Sequence, residues 1–158
     1  MPNTIATNKP ALVYDAVRNC LDGISIANGY QTQPRVVESR DAYNLESYKH
    51  VIEIYPGDPY LSPVEADETV ALRFMIDQRI EIAGWAHGER SDAMDEFHKL
   101  LQDVLTAIHG GAAVICGSVG SGKFGISEVQ TDQSTLIKKD QSVFVITVTV
   151  RYYQDPTW

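Results

Sequence analysis

From Ala11 onward the apolar residues recur at helical spacing. Leu12, Val13, Ala16, Val17, Cys20, Leu21 and Ile24 share one stripe, opposite Asp15, Arg18, Asn19 and Asp22. Pro10 suits the first turn of this helix, and Asn28-Gly29 offers a left-handed stop. The period then changes to two. Gln33 to Ser39 reads as a weak strand, and His50 to Tyr55 as a stronger one in which Ile52 and Ile54 alternate against Glu53. Pro56 to Asp67 holds three prolines, a glycine and several acids, the composition of an exposed loop. Val70, Leu72, Phe74 and Ile76 alternate, as do Ile80, Ile82 and Gly84, and Asp77-Gln78 is placed to turn a hairpin between them, without the usual glycine.

Helical spacing returns with Met94, Phe97, Leu101, Val104, Leu105 and Ile108. Ser91 can cap this second helix, Asp92 and Asp95 favour the positive end of its dipole, and Gly110-Gly111 is its expected stop. After it come an apolar run from Ala112 to Cys116, a glycine-rich loop, a short strand near Phe124 to Val129 and a polar turn around Lys138 to Gln141. A long closing strand follows, with Phe144, Ile146, Val148 and Val150 alternating against Val145, Thr147, Thr149 and Arg151. The order α-β-β-β-β-α-β-β predicts an α+β two-layer sandwich: two helices packed on one face of a mainly antiparallel β-sheet. Residues 1–9 read as a flexible arm and 10–158 as a single α+β domain, which suits a length of 158 residues.

The most conspicuous motif is Gly117-Ser-Val-Gly-Ser-Gly-Lys123, which matches the phosphate-binding pattern G-x-x-x-x-G-K. A working phosphate loop needs a Ser or Thr after the lysine to hold magnesium, and a helix starting at once to aim its N-terminus at the phosphates. Phe124 occupies the magnesium position, and Gly125 to Gln130 alternate as a strand would. The expectation is a mobile hairpin tip that binds no nucleotide. His98 and His109 lie three turns apart on the second helix, about 16 Å, too far to share a metal ion. Both flank the apolar stripe, where a half-buried histidine is ordinary. Asp92, Asp95 and Glu96 read as a solvated helix start, and Cys20 as a small buried apolar residue. No catalytic set, cofactor site or metal site is expected.

Aromatic residues cluster outside the helical stripes, at loops and strand ends, among them Tyr60, Tyr152, Tyr153 and Trp158. Tyrosine and tryptophan in such places are enriched where proteins meet proteins. The candidate interface is therefore Pro56, Asp58, Tyr60, Tyr152, Tyr153 and Trp158, from the proline-rich loop and the C-terminal segment. The formal net charge of −8 argues against a grip on phosphate backbones. No stretch approaches the ~20 consecutive apolar residues that cross a bilayer, and Met1 to Lys9 lacks the layout of a signal peptide, so a cytoplasmic protein with no membrane partner is expected.

Several of these segments together resemble the tail terminator (tail-completion) proteins of long-tailed bacteriophages. They are the first helix ending in Asn28-Gly29-Tyr30-Gln31-Thr32 before Arg35-Val36-Val37, and the central strand His50 to Tyr55 broken by Pro56-Gly57. The others are Ile80-Glu-Ile-Ala-Gly-Trp leading through a polar link to the helix near Ser91, and the closing strand Phe144 to Tyr153 ending in Asp155-Pro156. The proline-rich loop and the glycine-rich tip have no matched counterparts in that pattern. The resemblance implies a non-enzymatic virion protein of the tail–neck region, built in the host cytoplasm. It implies a ring, usually a hexamer, that partners itself, the tail tube protein and the head-connector or neck protein, with DNA passing through unbound. A lumen lined by carboxylates would repel DNA phosphates and let the duplex slide. Another neck or baseplate component, or a small nucleotide-binding protein using Gly117 to Lys123, are the alternative readings.

Overall fold

The structure, a computed structural model, describes residues 9–38, 48–56, 60–61, 74–87, 93–119, 123–132 and 141–154. Residues 1–8 of the arm expected at 1–9, the acids of the Pro56 loop, the turn before Gln141 and Trp158 lie outside them, while Lys9 already belongs to the first helix. The elements are α1 (Lys9–Asp22), a 3-10 turn (Ile26–Asn28), β1 (Arg35–Glu38), β2 (His50–Pro56), β3 (Tyr60–Leu61), β4 (Phe74–His87), α2 (Ala93–Gly117), β5 (Lys123–Asp132) and β6 (Gln141–Gln154). The strands join in the order β1-β2-β4-β6-β5, with β3 pairing the start of β4. β1 runs parallel to β2 and every other pairing is antiparallel. Two helices on one mainly antiparallel sheet is the α+β sandwich expected from the periodicity.

Alternation decides which face is buried. Ile52 and Ile54, Ile80 and Ile82, and Phe144, Ile146, Val148 and Val150 all join one core with Val13, Val17 and Leu21 of α1 and Phe97, Leu100, Val104, Ile108 and Ile115 of α2. Each such side chain contributes roughly 1.5–3 kcal/mol by leaving water. The Phe97 and Phe144 rings meet edge to face with centroids 5.7 Å apart, tying α2 to β6. Val37, Val51 and Ala83 are buried outside this cluster, on the opposite face.

Four expectations are corrected. β4 runs straight through Asp77-Gln78, so there is no hairpin there. The reason is register: Ile76, Gln78, Ile80 and Ile82 keep the same parity, and the type I′ turn of a two-residue hairpin needs positive φ at both central residues, which Asp and Gln do not favour. Gln78 points into the core instead, where its Nε2 donates to the Pro10 carbonyl at 2.9 Å and its Oε1 accepts from the Tyr152 hydroxyl at 3.0 Å. The loop after Pro56 is not wholly a loop, since Tyr60 and Leu61 pair with Asp77 and Ile76.

The other two corrections concern helix ends. α1 stops at Asp22, and Gly29, at φ 90°, closes the 3-10 turn rather than the helix. α2 does not stop at Gly110-Gly111 but continues to Gly117, taking the apolar run with it. Gly111 falls on the buried stripe between Ile108 and Ile115, and a Cβ there would overlap the Cys20 sulfur. The glycine is where α1 and α2 approach each other, so packing offsets the roughly 1 kcal/mol that glycine costs a helix. By length and composition alone α2 could cross a bilayer. Here its inner face is core, and its buried Asp103 accepts the backbone N–H groups of Gln31 at 3.3 Å and Thr32 at 2.7 Å, and the Thr32 hydroxyl at 2.7 Å.

Candidate functional site

The pairing register gathers distant parts of the chain at one end of the sheet. Tyr60 lies opposite Asp77, Tyr152 opposite Ile76 and Tyr153 opposite Met75, while Lys123 and Asp77 flank Arg151 on its two sides. α1 starts at the same end, with the Lys9 ammonium 6.0 Å from the Tyr152 ring centroid. Thus β3, the start of β4, the start of β5, the end of β6 and the beginning of α1 converge there. Two fixed interactions brace the end. Arg151 grips Asp77 with a two-pronged ion pair, Nε to Oδ1 at 2.6 Å and Nη2 to Oδ2 at 2.9 Å, on the sheet face away from the helices. On the helix side stand Tyr152, Gln78 and the Pro10 carbonyl.

Of the six expected interface residues, Pro56 is exposed at the end of β2, where it pairs with Ile80. Tyr60 and Tyr153 sit in paired strands at the gathered end, and the structure describes their backbone. Asp58 and Trp158 lie outside the described residues. Tyr152 must be corrected: it is 2 % exposed, a core residue. Even positions of β6 face the helices, so Tyr152 continues the row of Val148 and Val150, and its burial pushes the phenol up to about 12. Tyr153, one residue on, has the opposite parity.

A second polar cluster occupies the other end. Glu96, in the first turn of α2, receives His50 Nε2 at 2.7 Å, Lys49 Nζ at 3.3 Å and Lys99 Nζ at 3.5 Å, and Lys99 also reaches Asp95 at 3.0 Å. Glu96 is therefore not the solvated acid expected of a helix start. Burial alone would raise its carboxyl, but the hydrogen bonds from His50 and Lys49, and their charge, hold it below the usual carboxylate range. The cluster fastens the start of β2 to the start of α2. His98 and His109, expected half-buried, are exposed. Among the described residues no group of three or more His, Cys, Asp or Glu is placed to hold a metal ion. The two cysteines are unpaired thiols, and burial pushes both up.

The Gly117 to Lys123 segment links the end of α2 to the start of β5. A phosphate loop runs from strand to helix, so that the helix N-terminus faces the phosphates. Here the order is helix to strand, so the segment does not join two strands as the expected hairpin tip would, and Gly120, Ser121 and Gly122 lie outside the described residues. Sequence reasoning missed the polar anchors Gln78, Asp103, the His50–Glu96 pair and the Arg151–Asp77 pair. Only Gln78 left a signal, as a polar residue at a core-parity position inside a strand. No protein-family model matches the chain, and no curated protein gives a match.

Proposed function

We propose that this chain is a structural subunit of a long-tailed bacteriophage particle, a tail terminator. Copies of it form a ring, six in the usual arrangement of that family, which covers the last ring of tube subunits and meets the head connector. A tube built by stacking like subunits stops growing when its final face is covered by a protein that offers no equivalent face. The observation that carries the proposal is the gathering of Tyr60, Tyr153, Pro56 and the start of α1 toward one end of a two-layer domain. A ring of such domains has chemically different ends, one to bind the tube and one to meet the connector. The net charge of −8 supports a channel through which DNA moves without adhesion.

The test is to assemble tails with Tyr153→Ala, with Trp158→Ala and with a chain ending after Gln154. Cutting further back, after Arg151, would remove the core residue Tyr152 and confuse binding with folding. Overlong tails, or tails that fail to join heads, are expected from these variants. Normal length and normal joining with all three would show that this end is not the contact surface. Normal tails assembled without any of the protein would end the terminator reading itself.

A further inference from the structure

Asn28-Gly29 is the only Asn-Gly step in the sequence, and both residues are exposed. At such a step the glycine amide nitrogen can lose its proton and attack the asparagine Cγ, unhindered by a side chain. The new N–C bond closes a five-membered succinimide, and the Asn28 Nδ2 leaves as ammonia, carrying off that proton. Water then opens the ring at either carbonyl. One product is aspartate; the other is isoaspartate, in which the main chain runs through the former side chain.

We propose that Asn28 is a deamidation site which the folded turn holds inactive and which local opening of the turn activates. Both reacting groups are already engaged elsewhere. The Gly29 N–H donates to the Ile26 carbonyl at 3.0 Å. The Asn28 Nδ2 donates to the Gly23 carbonyl at 2.8 Å, which turns the side chain back toward the end of α1. The Asn28 N–H is held in turn by Ser25, through its carbonyl at 3.1 Å and its Oγ at 3.2 Å. Ring closure requires the first two bonds to break together, so the rate follows the fraction of molecules in which the turn is open.

The reaction has a structural consequence. A carboxylate at position 28 sets a negative charge against the Gly23 carbonyl in place of a donor. Isoaspartate also lengthens the main chain ahead of Gly29, which unseats the Gly29–Ile26 bond and the 3.1 Å bond from the Tyr30 N–H to the Ser25 carbonyl. Directly beyond lie Gln31 and Thr32, whose grip on the buried Asp103 holds the α1–β1 connection to α2.

Incubation at mildly alkaline pH, with mass spectrometric mapping of the peptide that carries residue 28, tests this on the full chain. The comparisons are the native protein, Ser25→Ala, the chain unfolded in urea, and a free peptide spanning residues 23–31. Deamidation should be slowest in the native protein, faster in Ser25→Ala, and fastest in the urea-unfolded chain and the peptide. A native rate equal to the peptide rate would overturn the protection. So would a native-like rate in Ser25→Ala when hydrogen exchange shows that the Gly29 amide has opened.

Discussion

Phe144 lies across the backbone of Gly84, its partner in the β4–β6 ladder, and that contact needs a residue without a side chain. A Cβ on Gly84 would overlap the ring, and Phe144 is fully buried with the edge of Phe97 against it. Gly84→Ala should therefore cost about 1–3 kcal/mol, the range for overpacking a filled core. Gly110 on α2 is the contrast, since a Cβ there meets nothing within 4 Å. Gly110→Ala should stabilise by about 0.5–1 kcal/mol through helix propensity alone. Urea midpoints of the two variants should move in opposite directions; a Gly84→Ala midpoint at or above that of the parent would show that the ring does not lie there. Tyr152 and Tyr153 show what one position changes. The sequence reading placed both at an interface, but with β6 running unbroken to Gln154 the alternation puts Tyr152 in the row of Val148 and Val150, inside the core.

At the scale of elements, apolar period proved a better guide than local stop signals. Both helices and the closing strand β6 stood out because their stripes must be buried whatever the loops do, whereas β4 was read as two strands. The expected breaks at Asp77-Gln78 and Gly110-Gly111 failed because each pair lies inside a continuous apolar register. A partner remote in sequence supplies what the local residues lack: Tyr152 and Pro10 for Gln78, Cys20 for Gly111. Such partners leave no mark on the segment itself, which is also why Asp103 and the His50–Glu96 pair were not legible. On α2, Phe97, Val104 and Ile108 are buried as expected, but Leu100 is fully buried whereas Leu101 is only partly so. Leu100→Ala should cost about 2–5 kcal/mol and Leu101→Ala clearly less. Equal losses would place the stripe back on Leu101.

The clasp between β2 and α2 should show itself in acid. The Glu96 carboxyl binds its proton less tightly in the folded chain than in the unfolded one, where its range is about 4.3. Its contribution is therefore complete above that range and fades as pH falls through the lower folded value. Glu96→Gln should be less stable than the parent near neutral pH, and the gap should narrow below about pH 4. A gap that stays constant across that range would mean that the pairing with His50 and Lys49 does not set the carboxyl's affinity for protons.

Taken whole, the molecule joins parts that lie far apart in the chain. Pro10 meets Gln78, Lys9 approaches Tyr152, and β6 lies between β4 and β5 with a long ladder on each side. Tyr60, Tyr153 and Pro56 were singled out in the sequence as residue types only; their placement toward one end comes from the pairing of β2, β3 and β6 with β4. That central seat for β6 also constrains the order in which the chain can mature. On the ribosome β4 and β5 emerge before the strand that joins them, and α1, made first, has no Tyr152 to rest against until β6 follows. Unpaired strand edges of this length invite pairing with other chains. Completion of the sheet must then wait for β6, the strand that joins β4 to β5. Ribosome-stalled chains exposed only as far as residue 140 should be digested readily by protease, whereas those exposed beyond Gln154 should resist. Protection already present at residue 140 would mean that the first helix and strands hold together without the last.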